Sequence, residues 1–150
     1  MSVSIRTIDQ KVGENSSYSW RIVTLAGRVD AFADKRTVAG LKMAAPLSPQ
    51  GPEGPPAWTA LDLSQCDFMS IWALKEIAQW AQDQRRAGGR LVVLSPNQAI
   101  RRQLDVFVGQ GLVIYPDWAT LEIDTFYLIQ KDQAKRRLEN EAILAADLSP

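Results

Sequence analysis

Residues 58–80, WTALDLSQCDFMSIWALKEIAQW, decide the fold of this chain. An apolar run through residue 63 is typical of a buried strand, and the polar residues at 65–67 predict a tight turn. After an apolar pair at 68–69, Ser70 precedes an amphipathic helical pattern. A strand that delivers a polar residue to the first turn of a helix places it where exposed backbone N–H groups and the helix dipole favour anions.

Apolar runs alternate with helical patterns on both sides of this stretch. They predict strands at 4–8, 20–25, 57–63, 90–94 and 112–115, and helices at 32–44, 71–87, 98–108 and from about Asp117 onward. The order β-β-α-β-α-β-α-β-α predicts an α/β fold, a single layer of mostly parallel sheet with helices packed against it and an extended C-terminal helix. Asp30 is predicted to cap the first helix.

Two segments depart from this alternation within what we interpret as one domain spanning residues 1–150. Residues 46–56, PLSPQGPEGPP, contain five prolines and two glycines, which predicts a surface insertion; the alternative is a PxxP ligand at 46–49. Residues from about 126 to 150 extend the last helix. This extension is either a solvated end or a docking or dimerising helix.

The composition excludes several classes of function. The 150 residues include 46% hydrophobic and 23% charged residues, as in ordinary globular domains, and 17 basic residues balance 17 acidic ones. We therefore expect no nucleic-acid partner. No secretory signal and no run of ~20 apolar residues is visible, and the lone Cys66 fits a reducing compartment, so we expect a cytoplasmic protein with no membrane insertion. Without histidine, Ser-His-Asp and Cys-His catalysis are impossible, and we expect neither enzyme activity nor a metal or cofactor.

The motif at 58–80 resembles the central signature of the STAS family, the domains of anti-anti-sigma factors and of sulphate-transporter tails. That signature reads aliphatic-Asp-Leu-Ser, a short turn, an apolar pair and then Asp-Ser-Ser-Gly-Leu. Residues 62–64, 68–69 and Leu74 fit it, as does Gly-Arg-Val-Asp at 27–30 before the first helix. The resemblance covers about residues 20–125 and implies the STAS fold.

The same resemblance implies a regulatory phosphoacceptor serine, but Ile71 stands at its position. The motif is therefore degenerate, and the usual phosphorylation switch is expected to be absent there. Ser70, one residue earlier, is expected to be a helix N-cap, with phosphorylation as the less favoured interpretation. Cys66 is expected to be a spectator thiol.

Helical spacing sorts the side chains of the following helix into two faces. Ile71, Leu74 and Ile77 belong to the core-facing stripe, whereas Trp72 and Lys75 belong to the polar face. Trp72 is then either a binding hot spot or covered by the proline segment or the tail. Trp80 lies between the faces, which predicts half-burial.

The leading hypothesis is a non-catalytic protein-interaction module that binds its partner through Ser70, Trp72 and Lys75, with Asp30 nearby. Resemblance implies an anti-sigma kinase or a related regulator as the partner, and a homodimer is possible. One alternative is a cytoplasmic accessory subunit of a membrane transport complex. The other is a small-ligand-binding domain or enzyme that uses Asp30, Asp62 and Asp67 near the carboxyl ends of the strands.

Overall fold

The computed structural model describes residues 2–11, 17–29, 57–86 and 88–147. Asp30, the helix predicted at 32–44 and the proline-rich segment at 46–56 lie outside these residues. Five strands and three helices are described, in this order: β1 Ser2–Lys11, β2 Ser17–Val29, β3 Ala57–Met69, α1 Ile71–Arg86, β4 Arg90–Leu94, α2 Gln98–Val108, β5 Val113–Tyr115 and α3 Trp118–Asp147.

The strands form one sheet in the order β1-β2-β3-β4-β5. The β1–β2 pair is antiparallel and the other three pairs are parallel, which confirms the predicted mostly parallel α/β sheet. Helices α1 and α2 contribute buried residues to the core on one face, and α3 does so on the other. The apolar run of β4 is buried on both sides, as expected for a central strand between two helical layers.

Strand β3 is longer than predicted, and the tight turn expected at residues 65–67 is wrong. These residues continue the strand to Met69, and β3 accommodates them through two register shifts against β2. Strict alternation after Leu63 would bury Gln65 and Asp67. The extra residues instead bury Cys66, keep Met69 in the core and leave both polar side chains exposed. The shifts are β-bulges that keep the polar groups out of the core.

Helix α3 begins beside the sheet and continues beyond it, which confirms one helix from about residue 117. Asp117 caps its start: the carboxylate accepts hydrogen bonds from the backbone N–H of Thr120 at 2.7 Å and from its hydroxyl at 2.8 Å. These bonds hold the pKa of Asp117 below its ordinary value. Leu121, Thr125 and Ile129 form the buried stripe of this helix, and the side chains of residues 134–146 are exposed.

No helix in the described ranges combines the length and the apolar character needed to cross a bilayer.

Candidate functional site

The junction between β3 and α1 is fixed by Ser70. Its backbone N–H donates to the carbonyl of Val29 at 3.0 Å, and its hydroxyl oxygen accepts from the N–H of Ala73 at 3.2 Å. The second bond is that of a helix N-cap, which confirms the predicted capping role. Because Val29 ends β2, the first turn of α1 is tied to the neighbouring strand as well as to its own.

Three large apolar side chains lie exposed around this junction, and we call Phe68, Ile71 and Trp72 the apolar edge. Their side chains are 40%, 51% and 60% exposed, respectively. The structure therefore shows Trp72 uncovered to a large extent. Clustered exposed apolar groups on a folded protein indicate an interaction surface more strongly than isolated ones.

Two cations flank the apolar edge. The guanidinium carbon of Arg28 lies 4.3 Å from the centre of the Phe68 ring, and Nζ of Lys75 lies 5.4 Å from the centre of the Trp72 ring. Both distances are within cation–π range. Two of the three apolar side chains of the edge are therefore each held against a cationic side chain.

Two predictions about α1 are wrong. Ile71 shares the helical angle of the buried stripe but is exposed, because β4 pairs with β3 only as far as Asp62 and does not extend under the first turn of α1. Trp80 is fully buried rather than half-buried, in the core cluster with Leu74 and Ile77. Helical angle alone does not show how far along the helix the core extends.

Asn97, which the sequence analysis did not identify as a site residue, holds the strand that carries Phe68. Its side-chain amide donates to the carbonyls of Cys66 and Asp67, both at 3.2 Å, and its oxygen accepts from the N–H of Ile100 at 2.8 Å. One side chain thus caps α2 and fixes the bulged part of β3. An Asn immediately before a helical pattern is an N-cap signal, but its bonds to β3 have no local signature.

Two of the three carboxylates proposed for ligand binding lie in the described structure. Asp62 accepts hydrogen bonds from its neighbour Ser64 at 2.9 Å and from the hydroxyl of Thr24 at 3.4 Å, and Asp67 is exposed. Asp30 lies outside the described residues. No group of three metal-ligating side chains is found in the ranges that the structure covers. Two clefts, of about 770 and 610 Å³, are lined by other residues.

Cys66 is buried, and its thiol lies 3.4 Å from the carbonyl oxygen of Phe68. A buried thiol packed within a core cluster is inert compared with an exposed one beside a cation.

Comparisons with known proteins identify relatives in structure only. No protein-family profile and no curated protein sequence matches the chain. The murine anion transporter Slc26a9, solved in its inward-facing state, matches with a TM-score of 0.57 and 12% identity, over 75% of this chain and 20% of the transporter. This chain therefore spans about a fifth of the length of that protein.

The anti-sigma factor antagonist SpoIIAA matches over nearly its whole length. Its unphosphorylated form aligns with a TM-score of 0.51 and 15% identity, over 80% of this chain and 96% of SpoIIAA. The phosphorylated form from Bacillus aligns with a TM-score of 0.52 and 17% identity, over 80% and 98% of the two chains. At such identities the likeness establishes the fold and leaves the function open. Together with the sheet order and the motif at 58–80, these matches show that the chain has the fold of a STAS domain.

Proposed function

We propose that this chain is a non-catalytic protein-interaction module that binds its partner through the apolar edge. The observation that carries this proposal is the exposure of Phe68, Ile71 and Trp72 within five consecutive residues. Tryptophan is among the residues most enriched at binding hot spots. Aromatic side chains stabilise a fold through burial, so exposed ones contribute little to its stability.

The backbone under the apolar edge supports binding because it is already ordered. Ser70 ties the start of α1 to β2, and Asn97 ties the preceding part of β3 to α2. A preformed surface loses less conformational entropy on association than a loop that must order first. The edge therefore suits a partner that docks without remodelling this domain.

The flanking charges indicate the chemistry of the partner. Arg28 and Lys75 lie beside two of the three apolar side chains, so a partner surface with an apolar centre and carboxylates at its rim would be complementary. An anti-sigma kinase or a related cytoplasmic regulator is the partner class that we propose, because SpoIIAA is an anti-sigma factor antagonist.

The proposed interaction lacks the phosphorylation switch that the sequence resemblance implies at position 71. Ile71 has no hydroxyl group, and the hydroxyl of Ser70 already accepts the capping hydrogen bond from Ala73. A phosphate at position 71 therefore cannot regulate this surface. Binding would be constitutive or controlled by the partner.

The test begins with identification of the partner by affinity purification from the native organism. Binding of the purified partner is then titrated against the wild-type chain, Trp72→Ala and Val106→Ala, where Val106 is an exposed apolar residue on α2. We expect Trp72→Ala to weaken the affinity by about thirtyfold or more, the scale of a hot spot, and Val106→Ala to leave it unchanged. Equal affinities for all three proteins would show that the partner binds elsewhere.

A second candidate function is that of a cytoplasmic accessory subunit in a membrane transport complex. It is favoured by the fold match to part of an anion transporter. The same purification separates the two candidates, since recovery of a membrane transport protein instead of a soluble regulator would support this one.

A further inference from the structure

The outer part of α3 is an exposed helix with no packing role in the described domain. Ile129 is its last buried residue, and we call residues 130–147 the projecting segment. At 1.5 Å per residue these 18 residues extend for about 27 Å. Three large apolar side chains on this segment, Leu138, Ile143 and Leu144, are 66%, 60% and 61% exposed. They do not form one face, because Ile143 and Leu144 lie about 140° and 120° from Leu138 around the helix. Isolated helices are marginal in water and gain most of their stability from packing, so a projecting helix of this length indicates a missing neighbour.

The charges of the projecting segment are divided between its two halves. Residues 130–137 carry four cations and one carboxylate, a net charge of +3, whereas residues 138–147 carry three carboxylates and no cation. The charge of the segment changes from positive to negative at Leu138, which lies between Arg137 and Glu139. This position is also the middle of the segment.

Interactions within a single copy of the chain do not explain why the charges are divided between the two halves. Carboxylates near the C-terminus of a helix interact unfavourably with its dipole, and no basic residue occupies the last turn of α3. Lys135–Glu139 and Arg137–Glu141 have the spacing of helical ion pairs, but with the cation first, which is the weaker order. The ion pair that the described part of this segment does form joins Arg136 to Asp132, at 3.2 Å.

We propose that two copies of this chain associate through their projecting segments, antiparallel, with the two-fold axis near Leu138. The basic half of each copy then faces the acidic half of the other. Because residue 138 is the middle of the segment, the end of one helix reaches the point where the other meets its own sheet. The interface then extends along the whole projecting segment of both copies, and the same surface of each copy contributes to it, as two-fold symmetry requires.

Helical geometry identifies the contacts. Leu138 of each copy meets its equivalent at the axis. At ~100° per residue, Lys135 and Glu139 flank Leu138 on one side of the helix, while Arg137 and Glu141 flank it on the other. In an antiparallel pair like sides meet, so Lys135 approaches Glu139 of the other copy, and Arg137 approaches Glu141. Because the dimer has two-fold symmetry, each of these two ion pairs occurs twice in the interface.

The proposed dimer is tested by reversing charges of the projecting segment in the full chain. One variant carries Glu139→Lys with Glu141→Lys, which makes the segment basic throughout the contact; the other carries Lys135→Glu with Arg137→Glu, which makes it acidic. Each is measured by sedimentation velocity over micromolar to several hundred micromolar concentrations, alone and as an equimolar mixture. Circular dichroism checks that both remain folded, which the exposure of all four positions favours.

We expect the wild-type chain to dimerise and each variant alone to dimerise at least tenfold more weakly. The mixture should form heterodimers, because every contact then joins opposite charges. A wild-type chain that stays monomeric over the whole range would overturn the proposal, as would a mixture no more associated than its components. The measurement uses this protein alone, so its result is independent of whether the apolar edge binds a partner.

Discussion

Replacement of Trp72 by alanine distinguishes a binding surface from a part of the core. With 60% of the residue exposed, about two fifths is covered by the protein. A fully buried Trp removes about 200 Å² from water, so the covered part corresponds to ~80 Å² and at most ~2 kcal/mol of hydrophobic stabilisation. The extended-chain reference overstates burial, and alanine improves helix propensity by about 0.5 kcal/mol. The net loss of unfolding free energy should therefore be about 1 kcal/mol.

Leu74 is the matched control on the opposite face of the same helix. It is fully buried in the core cluster with Ile77 and Trp80, so Leu74→Ala should reduce the unfolding free energy by about 2–5 kcal/mol through lost burial and a cavity. Urea unfolding of both variants, followed by circular dichroism, measures the difference. If Trp72→Ala is as destabilising as Leu74→Ala, Trp72 is a structural residue and the apolar edge is not a surface available for binding.

Two further predictions concern side chains that fix helix starts. Asn97→Asp keeps the acceptor for the N–H of Ile100 but removes the donors to β3, so the unfolding free energy should fall by about 1–2 kcal/mol. Asn97→Ala should be more destabilising, because it also removes the helix cap. If Asn97→Asp unfolds in urea like the wild type, Asn97 does not hold β3. The carboxyl of Asp117 should titrate below its ordinary value of 3.8 in carbon NMR, because its ionised form accepts bonds from Thr120. Since this pKa is lowered on folding, the capping stability should be complete above pH 3.8 and decline as the pH falls through the lowered pKa; a midpoint at or above 3.8 would show that the cap is not formed in solution.

The features that sequence predicted correctly depend on local patterns. The alternation of apolar strands with helical stripes predicted the order of the described elements and the mostly parallel sheet, because continuous apolar runs such as that of β4 suit strands buried on both faces. Ser70 was predicted as an N-cap from its place before an apolar-periodic run, and the hydrogen bond from Ala73 confirms it. Each of these features is decided within a few residues of chain.

The features that sequence missed depend on contacts between distant parts of the chain. A polar triplet after a strand has the composition of a turn, and only pairing with β2 shows that Gln65 and Asp67 belong to a bulged strand. Ile71 is exposed because β4 ends before it reaches the first turn of α1. The helical angle of Ile71 carries no information about the end of that strand. The bonds of Asn97 to β3 join residues about thirty positions apart.

The bulges of β3 also have a consequence for how this segment can change during evolution. Ser64, Gln65 and Asp67 are exposed, so many other residues would serve at these positions. The number of residues is also not strictly fixed, because each bulge places two consecutive side chains outward, at 64–65 and at 67–68. Loss of one residue from either pair would restore regular alternation there and leave Cys66 and Met69 in the core. Single-residue deletions are therefore expected to be tolerated within these two pairs, and deletions that remove Cys66 or Met69 are expected to be rare.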